Sequence, residues 1–584
     1  MSISNAQVLS QKGAPDNRTA AEIANSVTPT HYGYDPGDIR RYGAVLDGTT
    51  DDTTAVTNWL KVGGELTFPV AGTAKIVSEC ALYSNTTIRA VRGAVIQTAT
   101  QNISLFGADS KTNISISGLK FKQTLAGNNA YVGAVRLTSC SYVEISECEV
   151  EGMQWAGIYL DSSNYCTLTD NYFHDSLASS AGDKSDICVY RNSSYNVVRN
   201  NRCLGGAQVD HGIFIQDPSN GTYLPQHNKV EGNTVGTHKS YGIVVYIGGG
   251  SGESHNQIVN NTVLDITGTG IAGASGTGIY CVGARAGGVK VHGNTVRNCC
   301  SATTSTSNGP AGITIADIPA DGIRATVIGN TVENMTQGAG IRLAASSAEV
   351  SANTVRLPSS NDGTGTGGGA LLGSGIYVTD SFDVVISNNG VYVAGAGDGI
   401  YNALTTGSVD RCVISGNNVK VVSGNAVRFD RTSTYVHTDC LVVGNQVRTA
   451  STTGGNAIQA TGTDRMTVSG NSGTANTSEA MKFTACTGMR VSCNSINANG
   501  TNGITTSGTC TGSNFDSSNK IPGNVNNGGT GFRIEQIGAV PAAGTYVAGD
   551  TVWHTAPAAA ASPGAICTTG GSPGTWKAMA VLAA

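Results

Sequence analysis

Apolar and polar residues alternate in short runs along most of the chain, and two short phrases recur in turn. Alternation with a period of two is typical of β-strands, and we find no 3.6-residue helical period between residues 100 and 500. The first phrase is Gly-Asn-Thr-Val or a variant of it, at 232–235, 260–263, 293–296, 329–332, 352–355, 388–391, 416–419 and 444–447. The second phrase centres on Gly-Ile, at 156–160, 211–215, 241–245, 277–281, 311–315, 339–343, 374–378 and 398–401. Each repeat therefore contains at least two strands.

The repeat is roughly 29 residues long, and such a period indicates a solenoid of stacked coils. Strands that are separated only by turns can stack as successive parallel coils, without the helical crossovers of other parallel sheets. Asn and Gly at the phrase boundaries suit tight turns, and the Asn amides are expected to form ladders between coils. The pattern predicts an all-β, right-handed parallel β-helix solenoid, with the insertions 299–310 and 359–373 as loops. A leucine-rich repeat would need a Leu pattern that the chain lacks.

Composition and charge limit the possible partners. The chain has 584 residues with 78 Gly, 13% charged residues and a formal net charge of −5, without a Lys/Arg-rich run. We therefore expect no nucleic-acid partner. No apolar window is long enough for membrane insertion, and the polar start predicts synthesis in the cytoplasm without a signal peptide. The 15 Cys lack zinc-site spacing and are expected to be small buried residues, so that we expect no metal and no cofactor.

Residues 38–60 contain the sequence DIRRYGAVLDGTTDDTTAVTNWL. This segment resembles the start of the pectate-lyase-superfamily β-helix proteins, which include many phage tailspikes. It predicts a helix Thr53–Leu60, N-capped by Asp51 or Asp52, whose apolar face covers the first coil. The acidic residues Asp47, Asp51 and Asp52 are interpreted as turn and cap residues rather than as a metal site.

The expected domain organisation has four parts. Residues 1–37 are a polar connector for virion attachment, and residues 38–100 hold the capping helix and first coils. Residues 101–529 form the β-helix. Residues 530–584 are rich in Ala, Pro and Gly and resemble the small β-rich C-terminal modules of phage tail proteins. In that module Trp553 and Trp576 are predicted to be core residues rather than carbohydrate platforms.

Candidate chemistry emerges when four coils are aligned on Ile158, Ile187, Ile213 and Ile243. The preceding column then contains Gly157, Asp186, Gly212 and Gly242, and we expect Asp186 to face outward from a recess between glycines. The candidate catalytic residues are Asp186, Asp210, Asp183 and His211. Two carboxyl groups on neighbouring coils suit glycoside hydrolysis, because crowded like charges raise one pKa and supply the acid.

Aromatic and charged residues surround these candidates. The candidate substrate-binding residues are Trp155, Tyr159, Tyr190, Arg191, Asp217, Lys239, Tyr241 and Tyr246. Aromatic rings can stack on sugar faces, while Lys239 and Arg191 can hold acidic substituents. Asp217 also fits a turn residue.

The resemblance implies a phage tailspike that cleaves a bacterial surface polysaccharide. It would be a homotrimer in the virion, joined to phage tail or baseplate proteins through its N-terminus. Two alternatives remain open. A polysaccharide lyase would use His211, Tyr241 or Lys239 as base, with Arg191 neutralising a uronate carboxylate. An adhesin would bind glycan without cleaving it, since fold alone does not decide function.

Overall fold

A computed structural model describes residues 17–581, apart from a set of internal segments. These segments are 127–130, 178–182, 207, 218–221, 250–251, 270–275, 284–285, 301–309, 319–322, 345, 361–372, 405–408, 432–435, 451–454, 477–478, 499–501, 522–523, 556 and 559. Most of both predicted loops and the first part of the connector lie outside the described residues. The chain forms two compact units, 1–289 and 290–584, which are described separately.

The first unit begins with a helical cap. Its helices are Ala20–Ala24, the 3-10 helix Ile39–Tyr42 and Thr53–Val62. The last of these confirms the predicted helix, two residues longer, and buries Val56, Trp59 and Leu60. Asp52 is at the N-cap but its carboxylate accepts from the backbone of Val45 and Leu46, whereas Asp51 accepts from the Thr53 N–H at 3.0 Å.

Behind the cap, the strands of the first unit form three parallel columns, with one strand per coil in each. The first column contains Cys80–Ala81, Phe106–Asp109, Gly133–Thr138, Ala156–Asp161, Ser185–Tyr190, His211–Gln216, Tyr241–Tyr246 and Thr277–Val282. The second contains Gly64–Phe68, Thr86–Ala90, Thr112–Ser117, Ser141–Ser146, Thr167–Thr169, Val197–Arg199, Lys229–Glu231 and Gln257–Val259. The third contains Asp47–Asp51, Gly72–Lys75, Ala94–Thr98, Lys120–Gln123, Glu149–Glu151, Tyr172–His174, Arg202–Leu204, Thr234–Gly236 and Thr262–Leu264.

The second unit has the same three columns. Its first column contains Ala311–Ala316, Ala339–Ala344, Ile376–Thr379, Ile400–Leu404, Val427–Arg431, Ile458–Thr461, Met481–Thr484 and Asn502–Phe515. The second contains Lys290–His292, Ala325–Ile328, Ala348–Ser351, Val385–Ser387, Val413–Ser415, Leu441–Val443, Thr467–Ser469 and Arg490–Ser492. The third contains Thr295–Arg297, Thr331–Glu333, Thr354–Leu357, Gly390–Val393, Asn418–Val421, Gln446–Thr449, Ser472–Ala475 and Ser495–Ala498. A small parallel sheet joins Val409–Asp410, His437–Thr438 and Thr463–Asp464.

The pairing changes near the C-terminus. Asn524–Ile537 continues the parallel pattern and pairs with Thr551–Trp553, after which Gly564–Thr569 and Thr575–Ala578 pair antiparallel. The Trp576 ring packs edge-on against Tyr546 at 5.1 Å, and its indole N–H donates to the Pro573 carbonyl. Trp553 is 40% exposed, so its predicted place in a core is wrong.

The predicted coil alignment is confirmed, since Ile158, Ile187, Ile213 and Ile243 are consecutive strand partners. Their side chains are fully buried, as are Val235, Val263, Val332 and Val355 of the third column. Burial of each such side chain contributes about 1.5–3 kcal/mol, which makes this interior the main source of stability. The fold is a right-handed parallel β-helix.

The predicted asparagine ladders are also confirmed. In a ladder, an Asn amide such as that of Asn171, Asn353 or Asn389 donates to the side-chain oxygen of the Asn one coil further on, at 2.9 Å, and to a backbone carbonyl. One ladder of the first unit contains Asn171, Asn201, Asn233 and Asn261, and the ladder of the second contains Asn294, Asn330, Asn353, Asn389, Asn417, Asn445, Asn471 and Asn494. At the turns between strands, backbone carbonyl and N–H groups are buried. The ladder hydrogen bonds give these groups partners that they would otherwise lack.

Cysteine and hydropathy patterns agree with a packed interior. All 15 Cys are free, and only Cys493 is exposed, as expected for small apolar core residues. Within the described segments, no helix is both long and apolar enough to span a membrane.

Candidate active site

Asp186 does not face outward as predicted, and that prediction is wrong. Its side chain is fully buried, and its Oδ2 accepts hydrogen bonds from His238 Nε2 at 3.0 Å and from the Gly205 N–H at 3.2 Å. A Cβ added at Gly212 would lie 2.2 Å from a Val235 methyl carbon, so the glycine column points into the interior. Burial raises the pKa of Asp186, although His238 opposes the shift. Asp186 is therefore a core residue.

The other catalytic candidates lie together where two first-column strands begin. We call Asp183, Lys184, Asp210 and His211 the acid–base cluster. His211 Nε2 lies 3.6 Å from Asp183 Oδ1, and Asp210 Oδ2 accepts from the Lys184 backbone N–H at 3.4 Å. Ser185, which follows Lys184, pairs with His211, so the cluster spans two consecutive coils.

The two carboxyl groups of this cluster have opposite surroundings. The His211 imidazole beside Asp183 holds the pKa of that half-exposed carboxyl below its ordinary value. Burial raises the pKa of Asp210, and the nearby charge of Asp183 acts in the same direction. These opposite shifts move the two carboxyl pKa values apart, which is the arrangement that acid–base catalysis requires.

Lys184 and His211 are buried polar groups that the sequence did not fully explain. Lys184 is 2% exposed, and burial lowers the pKa of its amine. In the described part of the chain, neither its Nζ nor either ring nitrogen of His211 has a hydrogen-bond partner. Lys184 was not among the predicted site residues, and its place directly before a Gly-Ile-type strand is the only signal that could have found it.

The predicted aromatic platforms are mostly covered. Trp155, Tyr159 and Tyr190 are 6%, 1% and 3% exposed, so their prediction as open sugar-stacking surfaces is wrong. They pack around Tyr131, whose ring lies 5.5–6.2 Å from theirs and is 48% exposed. The Tyr190 hydroxyl donates to the Tyr131 hydroxyl at 3.1 Å. Tyr131 is thus the exposed ring of this aromatic patch, and it lies in no repeated phrase.

Arg191 borders the aromatic patch. Its guanidinium donates to Asp161 Oδ2 at 2.9 Å and lies over the rings of Tyr190 and Tyr223, at 5.3 and 5.5 Å from their centres. Its side chain is 38% exposed. Arg191 is therefore held in place while one side remains open to an anionic ligand.

The remaining predicted binding residues divide by exposure. Asp217 is fully buried, so it does not present its carboxylate to a ligand as predicted. Lys239 and Tyr241 are half-buried, and the Tyr241 ring stacks between His211 and Tyr280 at 5.5 and 4.8 Å. Tyr246 is 41% exposed. Both faces of the Tyr241 ring are therefore covered, whereas Lys239 and Tyr246 are at least partly exposed on the coil after His211.

One group of possible metal ligands exists among the described residues, and it lies apart from this cluster. It consists of Glu149, Glu151 and His174. Lys120 Nζ lies 2.6 Å from Glu149 and 2.5 Å from Glu151, and Lys122 Nζ lies 2.6 Å from Glu151, so lysine ammonium groups already pair with both carboxylates. Asp47 accepts hydrogen bonds from the backbone of Thr49 and Thr50 and acts as a turn residue.

The fold and the acid–base cluster define the class of protein, a parallel β-helix with carboxyl groups on neighbouring coils. Residues 101–296 match the family described as right handed beta helix region. No curated protein matches the chain.

Several solved structures are similar to the chain at low identity. PfbA, a surface adhesin of Streptococcus pneumoniae, is 13% identical with a TM-score of 0.35, over 81% of this chain and 93% of that chain. The A-module of mannuronan C-5 epimerase AlgE6 from Azotobacter vinelandii is 15% identical with a TM-score of 0.36, over 75% and 98%. The pre-mature gene product 12 of bacteriophage phi29 is 14% identical with a TM-score of 0.42, over 85% and 72%.

Proposed function

We propose that this protein is a phage tailspike that binds a bacterial surface polysaccharide and depolymerises it by glycoside hydrolysis. The observation that carries the proposal is that half-exposed Asp183, 3.6 Å from the His211 imidazole, and buried Asp210 lie on neighbouring coils. These surroundings shift the pKa values of the two carboxyl groups in opposite directions. Paired carboxyl groups with different protonation states are the usual means of glycosidic cleavage.

In the proposed reaction, protonated Asp210 is the general acid and ionised Asp183 is the base or nucleophile. Asp210 donates its proton to the glycosidic oxygen as the bond from that oxygen to the anomeric carbon breaks. Water, activated by Asp183 or attacking a glycosyl intermediate on it, supplies the hydroxyl of the new reducing end. Successive coils are about 4.8 Å apart, which keeps both groups within reach of one linkage. His211 positions Asp183 and stabilises its charge.

The glycan would extend along the coils on either side of this pair. Tyr131 offers an exposed ring on the preceding coils, while Tyr246 lies exposed on the following coil. Aromatic rings beside sugar hydroxyl groups combine apolar contact with hydrogen bonding. Arg191 and Lys239 would contact acidic substituents.

The tailspike assignment rests on residues 38–60 and their resemblance to the start of phage β-helix proteins. The helix Thr53–Val62 covers the first coil in the way that this resemblance implies. Residues 1–37 then serve as the connector to phage tail or baseplate proteins in the virion.

The test is turnover of purified capsular, exopolysaccharide and O-antigen preparations by Asp183→Asn and Asp210→Asn variants. Each variant should lose about 10²–10⁴-fold in rate, because each removes one partner of acid–base catalysis. Asp317→Asn is the matched control, since Asp317 is an exposed turn residue of the second unit. Turnover by the parent should fall at high pH as Asp210 ionises, and at low pH as Asp183 is protonated.

Product analysis by mass spectrometry separates the alternatives. Hydrolysis adds water to each product, whereas a lyase leaves an unsaturated sugar that absorbs in the near ultraviolet. The lyase alternative is favoured by His211 and Lys184, which lack hydrogen-bond partners among the described residues. Unsaturated products, or near-parental turnover in both Asp variants, would contradict the hydrolase proposal. Tight binding without any product would indicate an adhesin.

A further inference from the structure

A shallow groove lies on the third column of the second unit, away from the acid–base cluster. It encloses about 330 Å³ and is lined by Arg356, Gly390, Tyr392, Lys420 and Arg448, together with backbone and side chains beside them. We call it the basic groove. No acidic residue lines it.

The groove follows the register of four consecutive strands. Arg356 pairs with Tyr392, Tyr392 with Lys420, and Lys420 with Arg448. These side chains therefore form one row along the stack, at a spacing of about 4.8 Å per coil. The Lys420 ammonium lies 5.3 Å from the centre of the Tyr392 ring, and that ring is 37% exposed.

Gly390 creates the recess beside this row. A Cβ built at Gly390 would meet no atom within 4 Å, and the exposed glycine lies between Thr354 and Asn418 in the strand register. A side chain at this position would fill the groove without a clash, so the open space is not required for packing.

The cations of the groove differ in their partners. Arg356 lies 3.6 Å from Glu333, which also pairs with Arg297 at 3.0 Å, so this end of the row is partly neutralised. Lys420 and Arg448 are exposed and form no ion pair with any residue that the structure describes. Two unneutralised cations beside an exposed tyrosine stand out in a chain whose net charge is −5.

We propose that the basic groove is a second glycan-binding site, which holds an acidic polysaccharide through its carboxylate groups. Lys420 and Arg448 contact carboxylates of the polymer, Tyr392 contacts a sugar ring, and the recess at Gly390 admits part of that ring. The polymer runs along the stack, because the cations are arranged in that direction. This site requires no cleavage chemistry and is independent of the acid–base cluster.

Charge density favours an acidic polysaccharide over a nucleic acid. Double-stranded DNA carries one negative charge per roughly 1.7 Å of its axis, and its binding usually depends on several neutralising cations. The groove offers few cations, spaced by whole coils and interrupted by a tyrosine. A polyuronate has at most one carboxylate per sugar, which fits this sparse spacing.

The experiment measures binding of the full chain to polygalacturonate and hyaluronate by biolayer interferometry at low salt. Methyl-esterified polygalacturonate and a single-stranded DNA of similar length are the competing probes. The double variant Lys420→Gln/Arg448→Gln should bind either polyuronate about tenfold more weakly, because exposed ion pairs contribute modestly and add along a polymer. Binding of the parent should weaken as salt rises to 0.15 M and above.

Two further variants keep the result interpretable. Lys482→Gln/Arg490→Gln removes one lysine and one arginine from other columns of the same unit and should leave binding unchanged. Gly390→Gln alters no charge, fills the recess and should weaken binding as well. Tm of each variant should equal that of the parent, since all these positions lie on strand surfaces.

Several results would overturn the proposal. These are failure of the parent to bind either polyuronate, equal binding of the esterified polymer, stronger binding of DNA, or equal losses in the control double variant. The outcome is separate from the hydrolase test. If Asp183→Asn loses turnover but still binds polyuronate in the groove, both proposals are supported. If turnover does not depend on Asp183, only the hydrolase proposal is contradicted.

Discussion

Asp186 and His238 form a hydrogen bond in the interior of the first unit, where neither side chain is exposed. Among the described residues, Asp186 Oδ1 and His238 Nδ1 have no hydrogen-bond partner. Burial of a carboxyl group is unfavourable unless it is paired, and removal of one member of a buried pair leaves the other unsatisfied. We therefore expect this pair to affect stability rather than turnover.

Asp186→Asn should keep turnover per folded molecule within about twofold of the parent, because the residue lies in the core. Asp186→Ala should lower the free energy of unfolding by about 3–5 kcal/mol, since His238 and the Gly205 N–H lose their acceptor. The raised pKa of Asp186 means that its contribution to stability is fully present below the ordinary value of 3.8 and is lost as pH rises through the folded-state pKa. An Asn side chain does not ionise, so the Asp186→Asn variant does not lose stability in this way as pH rises.

The measurement is the thermal midpoint of parent and Asp186→Asn between about pH 4 and pH 7, with turnover determined in parallel. The Asn variant should gain relative to the parent as pH rises. A loss of turnover by orders of magnitude with an unchanged midpoint would return Asp186 to the catalytic site.

At the residue scale, the sequence correctly predicted which residues neighbour Asp186, but not whether its side chain points outward or into the interior. The repeated Ile established the register of the coils, and that register is confirmed. In the strand register, Ala156 and Ile158 each have a partner on the next coil, but Gly157 between them has none. A Cβ built at Gly157 would meet the Phe173 ring. Two successive positions therefore face the interior at this bend. Strict alternation, which was the only rule available from the sequence, fails there.

The asparagine ladder is the element on which turn geometry depends in both units. Asn389 Nδ2 donates to Asn417 Oδ1 and to the Val350 carbonyl, both at 2.9 Å. Its Oδ1 accepts from the backbone N–H and amide of Asn353, again at 2.9 Å. One side chain thus bonds to the coils before and after it.

Asn389→Ala should destabilise the second unit by about 2–4 kcal/mol, because several buried polar groups lose a partner at once. Guanidinium unfolding, followed by circular dichroism, gives both the midpoint and the unfolding rate. The matched control is Asn388→Gly, since Asn388 is exposed and left-handed, with φ of 56°. An equal change in the two variants would show that the ladder contributes no more than an ordinary turn.

The strands and ladders could be predicted from sequence because each repeats in every coil. The aromatic patch could not be predicted, because Tyr131 lies in no repeated phrase. It contacts Trp155, Tyr159 and Tyr190 only through tertiary packing. Burial of these rings also depends on neighbouring coils. A side chain that is outward by strand register can therefore still be covered.

For the whole molecule we predict a kinetically stable homotrimer. The low charged fraction of 13% and the connector of residues 1–37 motivate this expectation, and the resemblance to tailspikes agrees with it. Parallel sheets built from non-local pairing fold slowly, and an assembled trimer should also unfold slowly. Light scattering at micromolar concentration should give three times the chain mass of 59.5 kDa. A monomer mass, or unfolding within seconds in denaturant, would contradict this prediction.

The coil-by-coil pairing has a consequence for how such a gene can change. Asn353, Asn389 and Asn417 illustrate that the ladder joins each coil to the coils immediately before and after it. Duplication or deletion of one whole coil therefore rejoins the same bonds and alters the length of the stack by about 4.8 Å, without reconnecting any other strand. An insertion shorter than one coil breaks the strand register unless the inserted residues form a loop outside the stack. Recombination between related genes should thus exchange blocks of whole coils, and new ligand contacts can arise on one face while the interior is inherited unchanged.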